Sequence, residues 1–257
     1  MNAPTTPAHL AGVSDDEWRI RCDLAALYRL VAHHRMTDLI YTHISARLPG
    51  PDNHFLINQY GVMFHEMRAS DLVRIDMDGN TVGDLSGNRR VNAAGFTIHS
   101  AIHMARLDLI CVIHTHTAAG MAVAAQKHGL LPISQHALKF YGHLGHHGYE
   151  GIALDLDERT RLVRDLGPHN AMILQNHGLL AAGRTIPEAF NTIYYLERAC
   201  QAQVAALAGG TELVMPPEAV RLHTAQQFRS VGRLEHYEMM WASCLRLIEH
   251  DRPDYRS

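Results

Sequence analysis

Leu109-Ile110-Cys111-Val112-Ile113-His114-Thr115-His116-Thr117 decides how the rest of the 257-residue chain reads. The stretch opens as an uncharged, β-branched apolar run, the pattern of a strand buried on both faces. It closes on two histidines two residues apart. Because side chains alternate along a strand, His114 and His116 share one face while Thr115 points to the other. Two imidazoles on one face can hold a divalent metal if further ligands arrive from elsewhere. Taken alone, they read more readily as two satisfied histidines at a solvated strand end.

Composition frames the choice. With 47% hydrophobic and 19% charged residues, the chain can bury a sizeable core. A net charge of −3 with evenly mixed signs argues against nucleic acid or an anionic membrane as partner. No apolar run is long enough to span a bilayer. Cys22, Cys111, Cys200 and Cys244 form no Cys-x-x-Cys pair and suit a reducing compartment. Met1 to Gly12 lacks the basic-then-apolar pattern of a signal peptide, so the expected location is cytoplasmic.

Working outward, residues 1–13, with Pro4 and Pro7, read as a disordered lead-in, and residues 14–257 as one domain with a C-terminal helical tail. Ser14-Asp15-Asp16-Glu17 is a capping box that starts a helix running to about His34. Tyr41–Leu48 and His54–Asn58 read as a hairpin, followed by a short strand at Leu72–Asp76, a turn at Met77–Asn80 and another strand near Thr81. Ser70 is expected to cap a short turn. Asn92 begins a second helix, and a third is expected over Ala118–His128, closed by Gly129. Ser134–Gly151 reads as loop or strand, and Asp157–Leu166 as a helix stopped by Gly167-Pro168.

Ala171–Gln175 is a second apolar strand, ending in Asn176-His177-Gly178, with Leu179–Ala182 as its paired continuation. Pro187 starts a long helix to Leu207, and one tail helix covers about Arg233 to His250. If the two apolar strand ends lie together, His114, His116 and His177 converge on one point. Three imidazoles with an open position suit a catalytic Zn²⁺, and also Fe²⁺ or Mn²⁺.

Four motifs in order carry a family resemblance: Thr42-His43-Ile44-Ser45, Ile57-Asn58-Gln59-Tyr60-Gly61, Ile113-His114-Thr115-His116-Thr117 and Gln175-Asn176-His177-Gly178. From about Asp15 to Gly210 the chain resembles the class II aldolase/adducin family. It is most similar to the adducin-head branch, through Asn92-Ala93-Ala94-Gly95-Phe96, Ile98–His103, Gly129–Ser134 and Glu188-Ala189-Phe190. The resemblance implies a single three-layer α/β/α domain with a central mixed, mostly antiparallel sheet. It also implies a metal on His114, His116 and His177, a small-molecule substrate, and a homotetramer with sites near subunit interfaces. His43, Ser45, Asn58, Tyr60, Gly61 and Asn92 fall at the positions that would bind substrate.

The chain departs from the family's sugar-phosphate aldolases where acid chemistry is expected. Their Ser-Ser-Glu stretch, four residues before a helix histidine, is Ala93-Ala94-Gly95 here, so both the phosphate-holding hydroxyls and the proton-shuttling carboxylate are missing. The Gly-Asn-x-Ser motif reads Thr42-His43-Ile44-Ser45. The Asp that the epimerase branch carries two residues after the histidine matching His136 is Leu138. His136 and Tyr141 remain as candidate proton donors. The expected function is a lyase or decarboxylase acting on a small oxo or hydroxy acid through a metal-stabilised enolate. A non-catalytic adducin-head-like module and a non-haem iron oxygenase are the alternatives.

Overall fold

Cys111–Thr115, the heart of the apolar run, forms β4, the middle strand of a seven-stranded sheet. The fold comes from a computed structural model, which describes residues 10, 12–83, 90–152, 157–231, 234–250 and 253–257. Most of the expected lead-in, residues 1–9 and 11, lies outside the described residues. The other strands are β1 (His43–Arg47), β2 (Phe55–Ile57), β3 (Val73–Ile75), β5 (Gly145–His147), β6 (Ala171–Leu174) and β7 (Gly178–Gly183). Their order across the sheet is β3-β2-β1-β4-β7-β6-β5. Every neighbouring pair is antiparallel except β5 with β6. The sheet is therefore mixed and mostly antiparallel, as the sequence predicts.

Strand alternation sorts two cores. Ile44, Ala46, Cys111, Ile113, Ile173, Leu179 and Ala181 face one layer, built from α1 (Asp15–His33), α3 (Ala118–Ala124), α6 (Ile186–Ala208) and α8 (Leu234–Glu249). Val112, Met172, Leu174, Leu180 and Ala182 face the other, where α2 (Ala93–Ala105) supplies Ile98 and Ile102 and α5 (Glu158–Leu166) supplies Leu162 and Leu166. The period of two then puts His43, Ser45 and His114 on the α2 side. Helix starts follow their caps. Ser14 Oγ accepts from the Glu17 N–H, Asn92 Oδ1 from Ala94, and Thr185 Oγ1 from Glu188.

Several local expectations change. α3 stops at Ala124, because i→i+3 turns closed by the Gln126 and Gly129 N–H groups take over before the expected end at His128. Within Ser134–Gly151 lie a short helix, α4 (Gln135–Leu138), capped by Ser134, and the edge strand β5. Ser70 sits inside a 3₁₀ turn (Ala69–Asp71) instead of capping it, while Asp71 accepts from the Arg68 N–H. Thr81 makes only a single bridge to Ile75. The tail holds α7 (Glu218–Val231) as well as α8, where one helix is expected.

Candidate metal centre

His114 is the last inward residue of β4 and is buried. His116 follows one step past the strand. β4 and β6 are not neighbours, since β7 lies between them, so the two apolar strand ends do not meet side by side. It is the β6–β7 hairpin that delivers His177. Gln175-Asn176-His177 link Leu174 to its partner Gly178, with Asn176 at φ +54°, a left-handed conformation that asparagine tolerates. β7 then runs against β4 with Leu179 opposite Thr115. A Cβ on Gly178 would lie 2.3 Å from the Thr115 carbonyl oxygen, so the absence of a side chain permits this approach.

The three imidazoles converge through their Nε2 atoms. His114 Nε2 lies 2.8 Å from His116 Nε2 and 3.2 Å from His177 Nε2, and one ligand atom from each ring falls within 4.8 Å of the others. Tetrahedral zinc with bonds near 2.0–2.1 Å sets nitrogens roughly 3.3 Å apart, so the spacing fits. The outer ring atoms fix the tautomers. His114 Nδ1 lies 3.0 Å from the Leu179 carbonyl and His116 Nδ1 3.0 Å from Asp38 Oδ2, and neither acceptor has a proton to give. Both Nδ1 atoms are therefore placed to hold a hydrogen, which leaves both Nε2 atoms, 2.8 Å apart, as the ligating positions. A divalent cation placed between them could take both as ligands. Burial, reinforced by the neighbouring imidazoles, holds the His114 pKa well below the usual range and lowers that of His177 to about 4, keeping both rings neutral.

Beside the trio runs a second set of buried imidazoles. His43 sits opposite His114 in register, their ring centroids 5.1 Å apart. Its Nδ1 is 2.8 Å from His99 Nε2. His99 Nδ1 is 2.5 Å from Ser45 Oγ, which is 2.7 Å from His103 Nε2. Gly95, His99 and His103 recur every four residues along one side of α2. His99 and His103 belong to the Ile98–His103 motif that carries the family resemblance, which assigns a role to neither. The legible signal is their i, i+4 spacing with Gly95, on the side of the helix that the inward residues of β1 meet. Asp38 offers no such signal, being a loop residue far along the chain from His116.

Burial is the first cause that depresses the pKa values of His43, His99 and His103, the last to about 3. A histidine lowered in the folded state binds fewer protons than its unfolded counterpart, so its contribution is present above the unfolded value near 6.5 and is lost as pH falls below it. Each such ring costs about 1.4 kcal/mol per pH unit below that point. The metal-free protein is therefore expected to lose thermal stability steeply between pH 7 and 5, as followed by circular dichroism. A flat melting temperature over that interval would contradict the neutral file.

The other expected site residues are placed variously. Ser45 joins the imidazole file. Asn58 is buried with its backbone N–H donating to the Tyr28 hydroxyl, which also receives the Ile44 N–H. Asn92 is engaged as the α2 cap. Tyr60 and Gly61 lie on an exposed turn, with the Tyr60 N–H donating to the Arg90 carbonyl. His136 is exposed and stacks on Tyr195 of α6, with centroids 4.9 Å apart. Tyr141 lies under the Arg221 guanidinium. Among the described residues, no hydrogen bond or ring contact joins His136 or Tyr141 to the trio.

The sequence pattern of the Class II Aldolase and Adducin N-terminal domain matches residues 22–204. The chain belongs to this family. It is 48% identical over 244 residues to a putative aldolase class 2 protein of Caulobacter vibrioides, covering 95% of this chain and 94% of that one. Alpha-adducin of Rattus norvegicus is 46% identical over 190 residues, which is 74% of this chain but 26% of the adducin. Among solved structures, an L-fuculose 1-phosphate aldolase from Glaciozyma antarctica superposes with a TM-score of 0.83 at 29% identity, covering 98% of this chain and 97% of that one. The fold and family relation drawn from the motifs thus hold. Among the described residues no helix is long and apolar enough to cross a membrane.

Proposed function

We propose that this class II aldolase family member is a metal-dependent carbon–carbon lyase or decarboxylase for a small oxo or hydroxy acid, and not a standard sugar-phosphate aldolase. The observation that carries the proposal is the meeting of three Nε2 atoms, two of them on rings whose outer nitrogens are committed to acceptors, next to a helix start without a carboxylate. His114, His116 and His177 would hold a divalent metal, with Zn²⁺ suited to three neutral imidazoles and Fe²⁺ or Mn²⁺ as alternatives. When bound, the metal supplies Lewis-acid polarisation of a substrate oxygen. The chain's own part is to fix the ligands. The Leu179 carbonyl and Asp38 orient two rings, and the β6–β7 turn presents the third.

His43 and Ser45, from one face of β1, line the α2 side of the centre. Ala93, Ala94 and Gly95 present neither hydroxyl nor carboxylate there, which disfavours a phosphate-bearing substrate. His136 and Tyr141 are proposed as proton donors that complete the site, and a homotetramer is the assembly in which a neighbouring subunit could bring such groups to it. The four free cysteines suit a cytoplasmic setting. Adducin-like assembly without catalysis is the second reading, favoured by the missing carboxylate at position 95.

Elemental mass spectrometry on protein purified without chelator is expected to find one divalent metal per chain. Incubation with a panel of small 2-oxo and 3-hydroxy acids should then give C–C cleavage that a chelator stops and the metal restores. A protein that holds no metal after such purification would sink the proposal. A metal-loaded protein that cleaves none of the panel would favour the assembly reading.

A further inference from the structure

We propose that the cavity between α4, the β7–α6 corner and the α7–α8 pair is a second binding site, which takes a phosphate dianion, free or on a small ester. It does not depend on the metal centre.

Topology sets the two places apart. β7 leaves the trio at Gly178 and ends at Gly183, next to Arg184 on the cavity wall. β6 runs the other way, from Ala171 at the cavity to Leu174 beside the turn that carries His177. Cavity and centre thus lie at opposite ends of the same two strands, separated by the length of β7, roughly 17 Å.

The cavity has a volume of about 260 Å³, and its charge is unbalanced. Three cations line it from three elements: Lys139 caps the end of α4, Arg184 follows β7, and Arg229 belongs to α7. Among the described residues Glu188 is the one carboxylate in the lining, and Arg184 already occupies both its oxygens. Arg184 Nε lies 3.1 Å from Oε2 and Nη2 3.1 Å from Oε1, while the Arg184 backbone N–H donates to Oε2 at 2.8 Å. Neither Lys139 nor Arg229 forms an ion pair among the described residues. The Lys139 ammonium donates to Asn191 Oδ1 and lies 4.9 Å from the Tyr195 ring centroid, and both partners are neutral. Burial lowers its pKa to about 8, so the amine stays mostly protonated at pH 7. The pKa of His143 on the same wall is lowered by burial and then by Arg229 and His169, a sign that like charges crowd here.

A half-buried cation without a counter-charge is costly, and an oxyanion with several acceptors would supply the missing partner. Phosphate suits this set. A guanidinium can fork onto two of its oxygens while an ammonium takes another as a point charge. Tyr237 on α8 adds a phenol to the lining, and Phe140, Phe228 and Pro168 leave an apolar wall for the carbon body of an ester.

Calorimetric titration of the full chain with inorganic phosphate and with glycerol 3-phosphate tests the site, against sodium chloride at matched ionic strength. One anion per chain should bind, and Lys139→Met and Arg229→Gln should each weaken it about tenfold or more. His177→Ala, which removes a proposed metal ligand, should leave that affinity within about twofold. Should Lys139→Met not fold, Arg229→Gln carries the test, because Arg229 is exposed. Tighter binding of the ester would assign the site to phosphomonoesters, and equal binding to the free ion. No saturable heat below about 10 mM of either anion would overturn the proposal. So would binding that His177→Ala abolishes and the cavity variants leave intact, since the anion would then sit at the metal.

Discussion

His177→Ala is expected to lose its stoichiometric metal, with affinity for Zn²⁺ reduced by about 100-fold or more. Loss of an outer hydrogen-bond partner alone costs roughly 10–100-fold in comparable sites, and here a ligand goes. The variant separates binding from folding because His177 is half-buried on a turn and packs into neither core. Calorimetric zinc titration, beside a melting curve in chelator, reads both quantities. Retention of a full equivalent of tightly held zinc would remove His177 from the centre. Light scattering on the same variant distinguishes the second reading. If the native protein is the proposed tetramer, its dissociation together with metal loss would point to a structural use of the ion.

Gly178→Ala is expected to damage both fold and site. The added Cβ would sit 2.3 Å from the Thr115 carbonyl oxygen and 3.2 Å from His116 Cδ2. The first obstacle is backbone in a central strand, so no rotamer change relieves it. β7 would have to draw away from β4 where Leu179 pairs with Thr115, and His177 would move with it. Overpacking of this kind costs about 3 kcal/mol, or roughly 5–10 °C in melting temperature for a chain this long. Weaker zinc binding should accompany it. Gly148→Ala is the matched control, since its nearest neighbour would be Gln175 Oε1 at 4.0 Å and its backbone is not left-handed. A Gly178→Ala protein that melts within about 2 °C of native would mean that the strand approach is looser than described.

Much of the fold was legible because the chain advertises it locally. Ser14, Asn92 and Pro187 mark helix starts by chemistry that acts within three or four residues. The strands at His43–Arg47, Cys111–Thr115 and Ala171–Leu174 stand out as apolar or alternating runs. Less legible were α7, whose mostly exposed residues bury little to pattern it, and the edge strand β5, a Gly-His-His segment that becomes a strand only by pairing with β6. The end of α3 depended on competing turn hydrogen bonds that no cap announces.

By itself the sequence determined the strand that carries His114, the face His114 takes, the presence of His177 on a tight turn, and the loss of a carboxylate at position 95. The first two are set by residue type and the two-residue strand period, the third by the local Asn-His-Gly sequence, and the last is read by comparison with the family's aldolases. Tertiary structure alone decided that β7 lies between β4 and β6, so that a hairpin turn and not a neighbouring strand end completes the trio. It also supplied the Asp38 and Leu179 partners that turn two lone pairs toward one point. Finally, it placed His43 in the space that Gly95 leaves. Contacts across 52 positions of chain, from 43 to 95, arise from how α2 packs on the sheet, and nothing within either segment encodes the distance between them.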